Sequence, residues 1–532
     1  MKSFLFSLFL CSLIRTFAAR KRILIVYQTY TLSNGLRIIC ARSESEVAYC
    51  GIAVDAGTRD ELPGEDGLAH FVEHLSFKGT LRRSARQIIT RMESVGGDLN
   101  AFTDKEETVY YCTTLRQHLG RALELLLDIT LCSTFPQQEV EREVEVVIDE
   151  IESYNDQPSE LIYDEFESLL FPGHPLGRNI LGSADPLRQF VSSDLQRFVR
   201  RLYRPERMVL FVYGRVDIEE VVRMVERSLF TASPPAQAPS PFPPSLRSPI
   251  ADARLAIAPT LEHELALLRG EGEAEAEKAT SSSSALRGEA EKATSSSSAL
   301  RGEAEKATSS SSVLRGEVEK AASNSSALRG EVEKAASSSP LLGEGLGVRL
   351  FTISRSTHQA HVMIGTRTFA ATDPRYYALF LLNNLLGGPA MSSRLNTSLR
   401  ERHGLVYSVE SNMASYTDAG LWRVYFGCDH HDVKRCARLV VRELKRLCDA
   451  PLSQRTLDAA RRQMKGQLGI AWDNPESVAI GMAKRFLHYG TTLTMAQQME
   501  RLDALTPDIL WQTAQDILSP DGMTMLAFTE TT

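Results

Sequence analysis

The feature that most constrains this chain is an interruption. From Ser233 to Pro249 the sequence turns Pro- and Ser-rich, and beyond it Leu286, Leu300, Leu314 and Leu328 recur every 14 residues, each opening a unit of the type Leu-Arg-Gly-Glu-Ala-Glu-Lys-Ala-Thr-Ser-Ser-Ser-Ser-Ala. Two heptads per unit would suit an under-wound helix, but one leucine, a glycine and four serines per unit cannot bury a continuous seam. The stretch reads as a disordered or marginally helical insertion and not as a solenoid. Apolar residues must therefore be buried on either side of it. Four segments follow: an extension or targeting-like piece over 1–26, a first folded domain over 27–235, the linker and repeats over 236–347, and a second folded domain over 348–532.

Within 532 residues, 43% hydrophobic and 24% charged, there is material for two or three cores. The net charge of −7 comes from 60 basic and 67 acidic residues spread along the chain. No long basic tract is present, so nucleic acid is not an expected partner. Eight cysteines, with no Cys-x-x-Cys pair, read as buried free thiols, against a disulfide framework or a Cys-based zinc site. At the N-terminus, Lys2, the apolar run Phe4 to Ile14 and Thr16-Phe17-Ala18-Ala19 resemble a short secretory signal. Arg15, Arg20, Lys21 and Arg22 place more positive charge after the run than before it, which opposes export. The lack of any acidic residue before Glu44 fits an organelle transit peptide, and an extension without a targeting role fits as well. The reading is a soluble chain, cytoplasmic or periplasmic if bacterial, with an organelle matrix ranked below. No later run is long and apolar enough to span a bilayer.

The first folded segment begins near Tyr27. Tyr30-Thr31-Leu32 and Leu36-Arg37-Ile38-Ile39 flank Ser33-Asn34-Gly35, a hairpin signal, and Val47 to Val54 reads as a further strand. Helical pattern begins near Asp66 and covers Ala85 to Val95, Leu115 to Cys132 and Val140 to Tyr154, with a strand over Thr108 to Thr114. Hairpins alternating with returning helices predict an α+β fold.

On a helix from Gly67 to Phe77, Leu68, Phe71, Val72 and Leu75 form an i, i+3, i+4, i+7 apolar stripe. His70, Glu73 and His74 then fall on the opposite face within about 100°. Two imidazoles one turn apart can grip one zinc ion, and the carboxylate between them can reach a zinc-bound water whose pKa the metal lowers towards about 7. The bland alternative is an amphipathic helix with two surface histidines. A catalytic zinc usually takes three protein ligands, and the acidic segment Glu139 to Glu152 offers the third. There Val140, Val144, Val147, Ile148 and Ile151 form a stripe with Glu143 and Glu150 about 20° apart at its border. Glu141, Glu145, Asp149 and Glu152 point away and read as a solvated face. Glu139 shares the favoured border, so projection does not choose between it and Glu150.

The stretch Gly67-Leu-Ala-His70-Phe-Val-Glu73-His74-Leu-Ser-Phe-Lys-Gly-Thr80 resembles the inverzincin signature of the pitrilysin, insulin-degrading enzyme and mitochondrial processing peptidase family. Gly96-Gly97-Asp98-Leu99-Asn100-Ala101-Phe102-Thr103 resembles that family's substrate-aligning edge strand, and Glu143-Val-Glu-Val-Val-Ile-Asp-Glu150 its distal glutamate segment. Tyr203-Arg204-Pro205 and Met208-Val209-Leu210 resemble the end of the family's first half. Gly387 to Leu395 and Leu399 to Ser408 resemble parts of its non-zinc half. The resemblance implies two tandem, similar half-domains, each a mainly antiparallel sheet covered by helices, and a zinc metalloendopeptidase acting on extended or unfolded peptides. It implies one zinc ion per chain held by His70, His74 and Glu150, with Glu73 as general base and Glu143 as a supporting carboxylate. Asn100, Ala101, Phe102 and Thr103 would bind substrate, while Arg400 and Tyr407 would donate hydrogen bonds to the scissile carbonyl and its oxyanion. Size suggests the short members of the family, which act as homodimers or heterodimers with a related subunit. A non-catalytic or partner-dependent subunit with a structural or chaperone role is the alternative. The repeats depart from the family pattern, in which a short linker joins the halves.

Overall fold

A computed structural model describes residues 27–232 and 348–530. The expectations for residues 1–26 and for the 14-residue repeats lie outside the described residues.

Six strands form the first sheet: β1 (Tyr27–Thr31), β2 (Arg37–Arg42), β3 (Val47–Val54), β4 (Asp98–Thr103), β5 (Thr108–Leu115) and β6 (Met208–Gly214), in the order β1-β2-β6-β3-β5-β4. The β1–β2 hairpin turns at Gly35, whose φ of +89° suits a residue without Cβ. Five strands form the second: β7 (Arg349–Ser354), β8 (Ala360–Thr368), β9 (Val406–Ser415), β10 (Gly420–Cys428) and β11 (Thr524–Thr529), in the order β7-β11-β8-β10-β9. With β1 set aside, both sheets have the same strand order and the same pairings. β2 runs parallel to β6 as β7 does to β11, and every other pair is antiparallel. The fold is α+β, with two mixed sheets each packed by helices.

Helices emerge where the periodicity placed them, two with shorter ends and one, Gln137–Asn155, longer at both ends than the expected Val140 to Tyr154. The Ala85–Glu93 helix stops before Gly96, which has φ +70°, and Arg116–His118 is a separate 3-10 turn ahead of the Leu119–Leu131 helix. All seven described cysteines are free thiols, six of them buried. No helix among the described residues is long and apolar enough to cross a membrane.

Strands buried on both faces read as near-continuous apolar runs, and β2 does so. Ile38 and Cys40 enter the first half's own core with Ile52, Tyr110 and Leu210, while Ile39 and Ala41 face the other way. That second face, with Ala53, Val109, Val209 and Phe211, is covered by Ala479, Met482, Ala483, Phe486 and Leu487 of the helix Pro475–Tyr489, which belongs to the second half. The reverse also holds. Ile353, Met363, Leu421, Leu526 and Phe528 of the second sheet are covered by Leu161, Ile162, Phe166 and Leu170 of the first half's helix Pro158–Leu170. Each half thus lends one helix to close the other's sheet.

This exchange predicts coupled unfolding. All three tryptophans, Trp422, Trp472 and Trp511, lie in the second half. Phe166→Ala, in the first half, should cost about 3–5 kcal/mol and lower the denaturant midpoint reported by tryptophan fluorescence. A midpoint unmoved by that substitution would mean that the halves fold independently.

Candidate metal centre

The helix Leu68–Ser76 starts from Gly67 at φ +86°. A Cβ on Gly67 would sit 2.7 Å from the Leu181 carbonyl, and one on Gly182 would sit 2.5 Å from the Gly67 Cα. Backbone therefore meets backbone at the helix entrance. With no side-chain cap of its own, the helix takes one from Glu61, whose Oε1 accepts a hydrogen bond from the Ala69 amide at 2.9 Å. Burial pushes the Glu61 carboxyl up to about 8.

Leu68, Phe71, Val72 and Leu75 are fully buried, as the apolar stripe requires. The face opposite is not a surface. His70 and Glu73 are buried as well, and only His74 keeps part of its side chain in solvent, which removes the surface-histidine alternative. The helix Gln137–Asn155 supplies the facing carboxylates. Glu150 Oε1 lies 3.9 Å from His70 Nε2, and its Oε2 lies 3.4 Å from His74 Nε2. Glu139 pairs instead with Arg142 at 2.8 Å. Glu141, Glu145, Asp149 and Glu152 are exposed, as their projection indicates.

One donor atom from each of His70, His74 and Glu150 lies within 4.8 Å of the others. For a tetrahedral ion with bonds of about 2.0–2.1 Å, ligand atoms stand about 3.3 Å apart. The His74–Glu150 spacing matches that, and the His70–Glu150 spacing needs a small inward shift. Both contacts are of ion-pair length and neither is a hydrogen bond. The donor set fits zinc.

The surroundings orient these groups. His74 Nδ1 lies 3.1 Å from Glu143 Oε1, and Lys78 Nζ lies 2.6 Å from Glu143 Oε2. Such a carboxylate on the far nitrogen leaves Nε2 as the free electron pair. His70 Nδ1 is buried with no hydrogen-bond partner. Burial and the neighbouring His74 pull His70 down to about 3, so it is neutral. Burial acts the same way on His74, but Glu143, Glu150 and Glu73 more than offset it and hold it above the usual range. Burial raises the Glu73 carboxyl, opposed by Thr103 and His74. For Glu143, burial is outweighed by His74 and Lys78, which hold it low.

Asn100, Ala101, Phe102 and Thr103 lie on β4, which pairs with β5 on one side and forms the sheet edge on the other. Thr103 does more than line that edge: its Oγ1 donates to Glu73 Oε2 at 2.6 Å. Sequence reasoning missed this bond, Lys78 and the Glu61 cap. Lys78 lies four residues past His74, a spacing that could have flagged it, but nothing local marks Glu61.

Arg400 sits in a π-helical turn, Asn396–Glu401, and Tyr407 on β9, the strand topologically equivalent to β4. The guanidinium lies 6.0 Å from the Tyr407 ring centre, and Tyr407 is 84% exposed. Among the described residues, neither makes a hydrogen bond or ion pair with His70, Glu73, His74 or Glu150. The second half's counterpart of the histidine helix, Tyr376–Gly387, carries no histidine or carboxylate. Its Asn383 accepts a hydrogen bond from the Trp422 indole at 3.0 Å.

The Insulinase (Peptidase family M16) domain matches residues 37–184, and the Peptidase M16 inactive domain matches residues 190–258 and 330–464. The chain is 27% identical over 493 residues to a protein named as an uncharacterised zinc protease of Bacillus subtilis, spanning 92% of this chain and 96% of that one. It is 26% identical over 517 residues to the mitochondrial-processing peptidase subunit beta of Saccharomyces cerevisiae, spanning 95% and 92% respectively. Among solved structures, a protease from Helicobacter pylori shares the fold with a TM-score of 0.69 at 18% identity, covering 95% of this chain and 100% of that one. With both domains of one family matched in order along two halves of like topology, the chain belongs to the insulinase family of peptidases, family M16, with an N-terminal family domain followed by an inactive-type C-terminal domain.

Proposed function

We propose that this chain is a zinc metalloendopeptidase that hydrolyses extended or unfolded peptides. The observation that carries the reading is the convergence of His70, His74 and Glu150 within 4.8 Å, beside a Glu73 carboxylate held by an edge strand. His70, His74 and Glu150 would hold one ion per chain, and Glu143 with Lys78 would keep His74 in the ligating tautomer. Zinc, when bound, supplies Lewis-acid polarisation of water and of the scissile carbonyl. Glu73 is the general base: it takes the proton of the attacking water on a carboxylate oxygen and returns it to the leaving amine.

The free edge of β4 would take the peptide as an added strand, so that main-chain pairing along Asn100 to Thr103 supplies most of the binding. Specificity should then be loose. Arg400 and Tyr407 would donate to the oxyanion. Because Tyr407 projects into solvent and neither residue bonds to the metal cluster, the reading assigns them to the zinc site of a partner chain in a homodimer or in a heterodimer with a related subunit. That dependence favours a second reading, a partner-dependent subunit inactive alone.

Glu73→Gln should retain zinc, measured by metal analysis, and lose at least about a hundredfold in turnover of a quenched unstructured peptide. Equal rates in the two proteins would reject the general-base role, and His70→Ala that still held stoichiometric zinc would discredit the site. Mixing Glu73→Gln chains with Arg400→Ala chains should restore part of the activity. If subunits exchange and no activity returns, the shared site is wrong.

A further inference from the structure

The turn joining β4 to β5, Asp104-Lys105-Glu106-Glu107, is charged throughout, yet Lys105, Glu106 and Glu107 are buried. Charged side chains are almost never buried to that extent unless paired. Here every partner lies outside the hairpin. Glu107 meets two residues of the second half's helix Pro475–Tyr489: His488 Nε2 at 2.7 Å and the Lys484 ammonium, which also lies 3.1 Å from Asp104 Oδ2. Glu106 pairs with Arg59 and accepts from the Thr417 hydroxyl at 2.6 Å and the Thr417 amide at 3.0 Å. Lys105 donates to the Arg178 carbonyl and lies 3.5 Å from Glu167, which in turn pairs with Arg423 of the second sheet at 2.7 Å.

Glu106, Glu107 and His488 are close enough together to suggest a metal site. Lys484 and Arg59 already bring cations to these carboxylates, so no metal is needed there. Burial would pull the His488 imidazole down, but Glu107, Asp55 and Glu106 more than offset it and favour its charged form. Lys484 is the remaining charged group against Glu107.

We propose that Lys484 and His488 are positioning residues for the hydrolysis proposed above: by gripping Asp104 and Glu107 they hold the β4 edge in register and, through Thr103, aim the Glu73 carboxylate. The inference rests on that reading of the reaction. Thr103 immediately precedes the gripped turn, pairs with Thr108 across it, and donates to Glu73. The Asp104 amide closes the turn onto the Glu107 carbonyl at 2.8 Å, so a shift of Glu107 is passed to Thr103 within one residue. Misplacing a reacting group by about 1 Å can cost a hundredfold in rate. A merely adhesive role is already met by the apolar contacts of Ala479, Met482, Ala483, Phe486 and Leu487 on the same helix. The second half, lacking metal ligands, would thus act on the first as the frame of its substrate edge.

The test compares the full-length zinc-loaded chain with His488→Phe, which removes the donor, and His488→Gln, which keeps one. His488→Phe should hold zinc and stay folded with a lowered unfolding midpoint, speed amide exchange over residues 98–107 more than elsewhere in the first sheet, and lower kcat/KM at least about tenfold through both a lower kcat and a higher KM. His488→Gln should recover most of both. Unchanged exchange over 98–107 in His488→Phe, or a loss that His488→Gln does not rescue, overturns the proposal. If His488→Phe does not fold, Lys484→Met makes the same comparison from the other end of the grip. Exchange needs no turnover, so a wild-type chain without peptidase activity would sink the proposed function while leaving the grip to be decided by exchange.

Discussion

Two sheets, each apolar on both faces, must each be covered twice, and this molecule meets the requirement by exchanging helices between its halves. The consequence reaches the candidate metal centre. The helix Pro158–Leu170, which seals the second sheet, follows directly on Gln137–Asn155, the helix that carries Glu143 and Glu150. Pro475–Tyr489, which seals the first sheet, also grips the hairpin bearing β4. Each exchanged helix therefore adjoins an element that carries part of the candidate metal centre: the Glu150 helix in one case and the β4 hairpin in the other. Burial of apolar area is the larger driving force in each case, and the polar contacts ride on it to fix orientation.

Within the cleft, desolvation and charge act in opposition. Both imidazoles are pulled towards neutrality by burial, but three carboxylates, Glu73, Glu143 and Glu150, surround His74, while His70 has lost its solvent without gaining a partner on Nδ1. The pocket gathers more negative than positive groups, with Lys78 drawn off to Glu143. Such an imbalance in a partly dry site is costly for a bare protein and favourable for a divalent cation. Glu150, which keeps 45% of its side chain in solvent, stands at the mouth, where a ligand could be exchanged.

The halves are alike in topology and unlike in chemistry. The same strand order places β4 and β9 at corresponding edges, and helices of the same rank behind them. Where the first half has His70, Glu73 and His74, the second has apolar residues and an asparagine that serves the Trp422 indole. A fold repeated twice can thus hold one set of ligands and one frame.

Much of this was legible in residue order because it depends on near neighbours. The β1–β2 hairpin follows from Ser33-Asn34-Gly35, the histidine helix from its i, i+3, i+4 spacing, and the solvated acidic face of Gln137–Asn155 from the same arithmetic. Burial of His70 and Glu73 was not legible, since periodicity describes one helix and not what packs on its polar side. By itself the sequence determined that two imidazoles and a carboxylate share one helical face and that two folded stretches flank a low-complexity insertion. Helical projection left Glu139 and Glu150 equal, and the family resemblance named Glu150; only the tertiary structure decided that Glu150 faces the histidines while Glu139 pairs with Arg142, that Thr103 bonds to Glu73, that Glu61 caps the helix, and which half covers which sheet. The physical reason is that partners are selected by how whole elements pack, which local spacing does not encode: Thr103 meets Glu73 from 30 residues away, and even the Glu61 cap, eight residues from Ala69, depends on how the loop before the helix folds back.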